Sequence, residues 1–378
     1  MTTTTRVLIA ADKFKGSLTA AEVAEHVTAG LRAHRPDVTV TSLPVADGGD
    51  GTVAAAVAAG FSSRTVTVTG PLGEPVRAEF ALRGDTAVVE MAAASGLVLL
   101  PPGEFAPLTA TTAGTGELIA AAVGAGARTV VLGIGGSATT DGGAGMLTAL
   151  GVRLLDATGR PLPPGGAALR ELAAVDLSGL DPRLAGTRVV LACDVDNPLT
   201  GPQGAAAVYA PQKGATAADV ATLDAALQQY ARVLGAAAGE GAAALAQSPG
   251  AGAAGGVGFG ALAGLGAVFR PGIEVMLEVL GFAKALDDAD LVITGEGSLD
   301  AQTLHGKAPA GVAAAARGAG LPVVAVCGRL TLDEEALRGA GIERAYALTS
   351  LESDTSVCLA QAGPLLRRLA ETLAADRL

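Results

Sequence analysis

Residues 132–145 read Leu-Gly-Ile-Gly-Gly-Ser-Ala-Thr-Thr-Asp-Gly-Gly-Ala-Gly, with small hydroxyls and one carboxylate set among glycines where an apolar run should meet a helix. Glycine tolerates positive φ and close backbone approach. Successive amides there can therefore converge on phosphate or carboxylate oxygens, and the N-terminus of the following helix adds partial positive charge. Gly135, Gly136, Ser137 and Thr139 are the candidates for this cradle, with Thr140 as a further hydroxyl. Asp141 has two readings: it caps the helix, or it ligates magnesium or orients a substrate hydroxyl. Neither the Walker A pattern nor a well-placed Gly-x-Gly-x-x-Gly fingerprint occurs here, so this is not an ordinary P-loop or dinucleotide site.

Three further clusters follow apolar runs in the same way. Asp12-Lys-Phe-Lys-Gly-Ser17 offers ammonium groups to a carboxylate or phosphate, or solvated charges on a loop. Asp47-Gly-Gly-Asp-Gly-Thr52 flanks glycines with Asp47 and Asp50; such a turn holds a divalent ion or substrate hydroxyls, or is an ordinary Asp-Gly turn with Asp50 as a cap. In Cys193-Asp-Val-Asp-Asn-Pro198, Asp194 should emerge at the carboxyl end of a strand, where a general base can take a proton from an attacking hydroxyl; the alternative is an Asx-turn before Pro198. Asn197 is a candidate ligand-binding residue in that cluster, and Lys213 beyond it touches phosphate or merely solvent. The last cluster is Thr294-Gly-Glu-Gly-Ser-Leu-Asp300, followed by Gln302, His305 and Lys307. There Glu296 and Asp300, with Asp50, are the Mg²⁺ candidates, and Lys307 near a helix N-terminus can neutralise a phosphate. His305 has no second histidine beside it and is expected to be structural or hydrogen-bonded to a ligand.

The elements that must carry these clusters alternate. Apolar runs at 6–11 and 38–45 flank an amphipathic helix at 19–35, a βαβ opening. Strands at 289–294, 322–327 and 344–348, separated by helices at 308–319 and 332–339, repeat the alternation near the other end. Between lie short strands at 65–69, 76–82 and 87–91, a strand at 130–134 before the glycine-rich loop, a helix at 144–150 and a strand at 189–192. This pattern predicts an α/β protein of two domains. Residues 1–70 plus 286–378 form a discontinuous three-layer Rossmann-like domain from both termini, and residues 71–285 form an inserted α/β domain carrying the loop. The Ala/Gly-rich stretch 235–266 reads either as a linker or as closely packed helices.

Composition excludes several classes. The net charge of −11 and the absence of a Lys/Arg-rich segment argue against nucleic acid as a partner. The mean hydropathy of +0.45 rests on Ala and Gly, and no run of about 20 strongly apolar residues predicts a membrane span. The start lacks the basic and apolar regions of a signal peptide, so a cytoplasmic protein is expected. Cys193, Cys327 and Cys358 form no Cys-x-x-Cys pair and read as buried thiols. An acidic protein repels anionic ligands at long range, so an anionic substrate needs a local positive site.

Taken in order, these clusters together with Gly70-Pro-Leu-Gly73, Glu90-Met-Ala-Ala-Ala-Ser-Gly-Leu97, Gly114-Thr-Gly-Glu-Leu-Ile119 and Pro211-Gln-Lys-Gly214 make the whole chain resemble the bacterial glycerate kinase family of type 1, the glycerate 2-kinases. The resemblance implies ATP-dependent phosphorylation of D-glycerate, with Mg²⁺, to give 2-phosphoglycerate and ADP, in a two-domain α/β fold with the site between domains. A kinase of another small hydroxy acid or sugar acid, or an anion-binding regulator without turnover, is the alternative. Assembly as a monomer or homodimer is expected. The sequence departs from the family pattern at Lys13, where serine is usual, at Asp50 for glutamate, at Asp196 for threonine, and at Ser298, where arginine is often found. Lys15 is therefore the expected functional lysine, with Asp194 as base. Asp12, Asp47 and Lys307 are expected to bind substrate or phosphate beside the glycine-rich loop.

Overall fold

The computed structural model describes residues 5–304 and 306–378. Along the chain its strands are β1 (Arg6–Ala11), β2 (Thr39–Ser42), β3 (Ser62–Thr69), β4 (Pro75–Arg83), β5 (Thr86–Glu90), β6 (Thr129–Gly133), β7 (Arg153–Leu155), β8 (Ala174–Asp176), β9 (Arg188–Ala192), β10 (Val268–Arg270), β11 (Leu291–Leu299), β12 (Val323–Leu330) and β13 (Arg344–Ala347). The α/β class is as the alternation predicts. The chain divides into two compact units: the first runs through Asp47 and adds 54–59 and 271–378, and the second comprises 48–53 and 60–270.

In the first unit the sheet order is β2-β1-β11-β12-β13, all parallel. Parallel strands are covered on both faces and so read as continuous apolar runs, as Val7 to Ala11 and Leu291 to Ile293 do; all of these are buried. The helix Ala20–His34 opens with a reciprocal capping box between Thr19 and Glu22, worth about 1 kcal/mol. It buries Val23, Val27 and Leu31 in one core with Leu366 and Leu369 of the helix Ala362–Arg377. β2 is shorter than the predicted 38–45, yet the amides of Leu43 and Val45 still donate to Ile9 and Ala11 and carry the chain beside β1 up to Asp47. Numbered within this unit the strand order is 2-1-3-4-5, which places the topological switch between β1 and β11; ligands of open α/β sheets bind outside the carboxyl ends at such a switch.

The second unit has a six-stranded sheet, β10-β9-β6-β5-β4-β3, in which β10, β9, β6 and β5 are parallel and β4 and β3 continue as antiparallel neighbours. β3 pairs with β4 along its whole length, from Ser62 opposite Leu82 to Thr69 opposite Pro75, and so belongs with this sheet. Both boundaries read from the sequence therefore shift: β3 lies in the second unit although it precedes residue 70, and residues 271–285 lie in the first. The core gathers Phe80, Leu118, Ile119, Leu132, Leu191, Tyr230 and Phe259. The stretch 235–266 contains the end of the helix Ala217–Ala238, a 3₁₀ turn Ala242–Gln247 and the helix Ala253–Leu265, so of its two readings the packed helices hold. Among the described residues no helix is long and apolar enough to cross a membrane.

Candidate functional site

In the first unit Asp12 leaves the end of β1 with its amide bonded to the Gly295 carbonyl of β11 at 2.8 Å, which puts it at the switch point. Burial, and then repulsion from Asp47, push its carboxyl up to about 7, against the opposing pull of Lys13 and a 2.7 Å bond from the Lys13 amide. Glu296 also bears on Asp12, and burial raises its own carboxyl. These carboxylates meet because Ala11 and Gly295 are register partners and Asp47 is carried alongside by the extension of β2. Lys15 is exposed on the turn after β1, with its amide facing Gly297.

β11 corrects the sequence reading at Glu296. The strand does not end at Thr294 but runs on to Leu299, so Glu296 and Ser298 lie inside it, opposite Cys327 and Arg329 of β12. Glu296 is buried, takes the Thr303 hydroxyl on one oxygen at 2.5 Å, and has the Lys307 ammonium 3.6 Å from the other. Lys307 stands at the N-terminal boundary of the helix Ala308–Gly318, as expected, but in this structure it is paired with Glu296. Asp300 accepts from the Gln302 amide and the Ser298 hydroxyl, a turn-closing arrangement. His305 lies outside the described residues.

In the second unit three predicted clusters pack by backbone. Gly48, at φ +92°, lies against Ala192 and Gly133, so closely that a Cβ there would stand 2.3 Å from the Ala192 carbonyl oxygen. Gly49 packs on Gly135 and Asp50 on Gly136, itself at φ +72°. The turn 48–50, the glycine-rich loop and the end of β9 are thus brought together. The glycines at 48, 133, 135 and 136 allow this approach, the last to the Asp50 carboxylate. The Glu90 carboxylate at the end of β5 fixes the turn by accepting from the amides of Gly51 and Val53. Sequence reasoning missed Glu90; its place at the end of a strand next to the loop's strand was the available signal. Asp194, the proposed base, follows β9 and is exposed.

Within the loop the amides of Ala138 and Gly142 are taken by the Ser95 and Gly255 carbonyls, and that of Gly135 by Gly48. Among the described residues, those of Gly136, Ser137, Thr139 and Thr140 have no protein acceptor, and the buried Thr139 and Thr140 hydroxyls have no partner. Gly136 is exposed and Ser137 lies just beneath the surface, so the accessible donors are at 136–137. Asp141 does the capping work and not the ligand work. It is fully buried and accepts from the Gly143 and Gly145 amides and from the amide and hydroxyl of Thr112, all between 2.8 and 3.1 Å. Burial raises its carboxyl, and those four donors oppose the rise.

Two other expectations are corrected. The Asn197 side chain is engaged at both ends, donating to the Gln203 carbonyl at 2.8 Å and accepting from the Tyr209 hydroxyl at 2.6 Å, so it ties its own loop together. Lys213 is not the solvent-facing lysine that one of its two readings offered. It is 1% exposed and its ammonium donates to the Ser137 hydroxyl and the Thr139 carbonyl under the glycine-rich loop.

For a divalent metal the residues fit in part. Among the described residues no group of three or more His, Cys, Asp or Glu side chains is placed to hold an ion, and Glu296 and Asp300 are already engaged. Mg²⁺ held together with nucleotide phosphates needs only one or two protein carboxylates. Asp12, destabilised as an anion beside Asp47, is the kind of donor that a cation would relieve.

Comparison with known proteins follows the same lines. The model of the glycerate kinase family matches residues 7–377. The chain is 48% identical over 375 residues to the glycerate kinase of Bacillus subtilis strain 168, covering 98% of this chain and 97% of that one. It is 47% identical over 350 residues to the glycerate 2-kinase of Escherichia coli K12, covering 92% and 91%. A crystal structure named for glycerate kinase 2 of Salmonella typhimurium LT2 superposes with a TM-score of 0.86 at 44% identity, covering 99% of this chain and 98% of that one.

Proposed function

The chain belongs to the glycerate kinase family and is a kinase, and from that premise we propose that it transfers the γ-phosphoryl group of ATP to the 2-hydroxyl of D-glycerate, giving 2-phosphoglycerate and ADP in the cytoplasm. The observation that carries this reading is the meeting of the 48–50 turn, the glycine-rich loop and the end of β9, which gathers unsatisfied amides beside the strand end that releases Asp194.

Phosphoryl transfer asks for alignment and charge neutralisation more than covalent chemistry by the protein. The glycerate hydroxyl oxygen bonds to the γ-phosphorus, the bond from that phosphorus to the β–γ bridging oxygen breaks, and ADP leaves. Asp194 receives the hydroxyl proton. The amides of Gly136 and Ser137 hold an oxyanion, and Lys15, exposed on its turn, supplies mobile positive charge to substrate or transferring group. Mg²⁺, when bound, would neutralise phosphate charge, with Asp12 and Asp47 as the protein carboxylates suited to hold it.

A coupled assay for ADP release with D-glycerate, L-glycerate, glycolate and tartronate as acceptors tests the proposal. Turnover confined to D-glycerate, with phosphate on carbon 2 by NMR of the product, supports it. Phosphate on carbon 3 or preference for another hydroxy acid overturns the assignment of product or acceptor, and ligand binding without ADP release favours an anion-binding regulator.

A further inference from the structure

A fully buried lysine is unusual unless an acid meets it, because a buried ammonium loses several kcal/mol of hydration. Lys213 is buried to 1% exposure, yet both its hydrogen-bond partners are neutral: the Ser137 hydroxyl at 2.8 Å and the Thr139 carbonyl. Among the described residues its third proton has no acceptor, and no carboxylate lies within ion-pairing distance. The one acid whose charge reaches it is Asp141, and that carboxylate is occupied by four other donors. Tyr230, buried in the field of the same aspartate, is held protonated and adds no charge.

The position of this cation matters as much as its isolation. It sits under the part of the loop whose amides, at Gly136, Ser137, Thr139 and Thr140, lack acceptors. A serine hydroxyl that accepts from an ammonium has its own hydrogen left to give. No protein acceptor takes it, so Ser137 can offer both its O–H and its N–H to a ligand.

We propose that Lys213 is the buried counter-charge of the glycine-rich loop, a positioning residue that holds Ser137 and Thr139 from beneath so that the 136–137 donors face a bound oxyanion, whose negative charge then compensates the ammonium. The ligand class is a phosphoryl or similar multiply charged oxyanion. The inference rests on the reading of 133–145 as an anion loop.

Two consequences separate this role from ordinary structural support. First, burial depresses the Lys213 ammonium to about 7 in the free protein, so it loses its proton as pH rises through neutrality. An oxyanion favours the protonated form, so binding above that pH requires proton uptake and weakens by up to tenfold per pH unit. Second, replacing an uncompensated buried cation with an apolar side chain of similar length need not destabilise the ligand-free fold.

The test is calorimetric titration of sulfate, which does not itself titrate near neutrality, into the full-length wild-type, Gly136→Val and Lys213→Met proteins at pH 6.0 and 8.5, with the melting temperature of each taken without ligand. Sulfate binding that Gly136→Val abolishes establishes the loop as the site; binding that survives in that variant overturns both the loop reading and this inference. With the loop established, wild-type affinity should fall at least tenfold from pH 6.0 to 8.5. Lys213→Met should bind at least tenfold more weakly at pH 6.0, show no pH dependence, and melt within a few degrees of wild type. Wild-type affinity that is flat across this range, or full affinity in a folded Lys213→Met, overturns the role of Lys213 and leaves the loop reading intact. The wild-type profile decides the matter even if the variant fails to fold. Competition of sulfate by ADP or by 2-phosphoglycerate then tells whether the oxyanion belongs to nucleotide or product.

Discussion

Replacing Asp12 with Asn removes a charge that the first unit tolerates poorly. The Asp12 carboxyl stands at about 7 in the folded protein against 3.8 for an ordinary aspartate, chiefly through burial and then through Asp47. A raised carboxyl favours the protein below pH 3.8, where folded and unfolded states are both protonated. That advantage is lost as pH rises toward about 7 and stays lost above it. At about 1.4 kcal/mol per unit, ionised Asp12 costs roughly 4 kcal/mol at pH 8, and relaxation and water access bring the expected figure to about 2–4 kcal/mol. Asn keeps the oxygen that accepts from the Lys13 amide and carries no charge. Urea unfolding followed by circular dichroism should therefore find Asp12→Asn more stable than wild type, with the advantage growing by about 2 kcal/mol between pH 5 and pH 8. Turnover should fall, because the same carboxylate is assigned to ligand or Mg²⁺. A difference that does not vary with pH, or a variant less stable at pH 8, would refute the reasoning.

Asp194→Asn should lower kcat by about two to four orders of magnitude with an unchanged melting temperature, the usual worth of general-base assistance; a near-normal kcat removes Asp194 from the role of base. Lys15→Met should lower kcat/KM without affecting stability, since the side chain is exposed and a neutral group leaves ligand charge uncompensated. An unchanged kcat/KM makes Lys15 a surface lysine. Ala254 has φ +54°, a left-handed conformation costly for any residue with a Cβ, so Ala254→Gly should gain about 0.5–1 kcal/mol in chemical denaturation despite the added freedom of the unfolded chain. A loss of stability there would mean that the alanine methyl contributes more by packing than its backbone costs.

The fold was readable where the chemistry is local. Continuous apolar runs marked the parallel strands, and amphipathic periodicity at 19–35 marked a helix found at Ala20–His34. What the sequence could not convey was register and depth. Nothing in Thr294 to Asp300 says that a parallel partner on β12 extends the strand through Glu296, since polar residues there break the apolar run while hydrogen bonds to β12 continue. Lys213 resembles any loop lysine until its ammonium is seen buried against Ser137 and Thr139 of the glycine-rich loop. Asp141 carried both readings in sequence, and four backbone and hydroxyl donors arriving from 112, 143 and 145 decide between them. The clustering of 48–50 against 133–136 and 192 was signalled by the glycines themselves, whose use became clear only with the backbone that each one touches.

The pairing of β1 also governs how the protein is made. Val7 lies between Val40 on one side and Leu291 on the other, so the second neighbour of the first strand is translated late. Residues 60–270 form nearly the whole of the second unit and can fold from the ribosome while β1 and β2 still wait. During that interval the nascent chain presents an apolar strand edge at Val7 to Ala11, open to pairing with a neighbouring chain. Chains that stop short of Leu291 therefore lack the strand that covers this edge of β1, the kind of exposed apolar edge that templates pairing between chains.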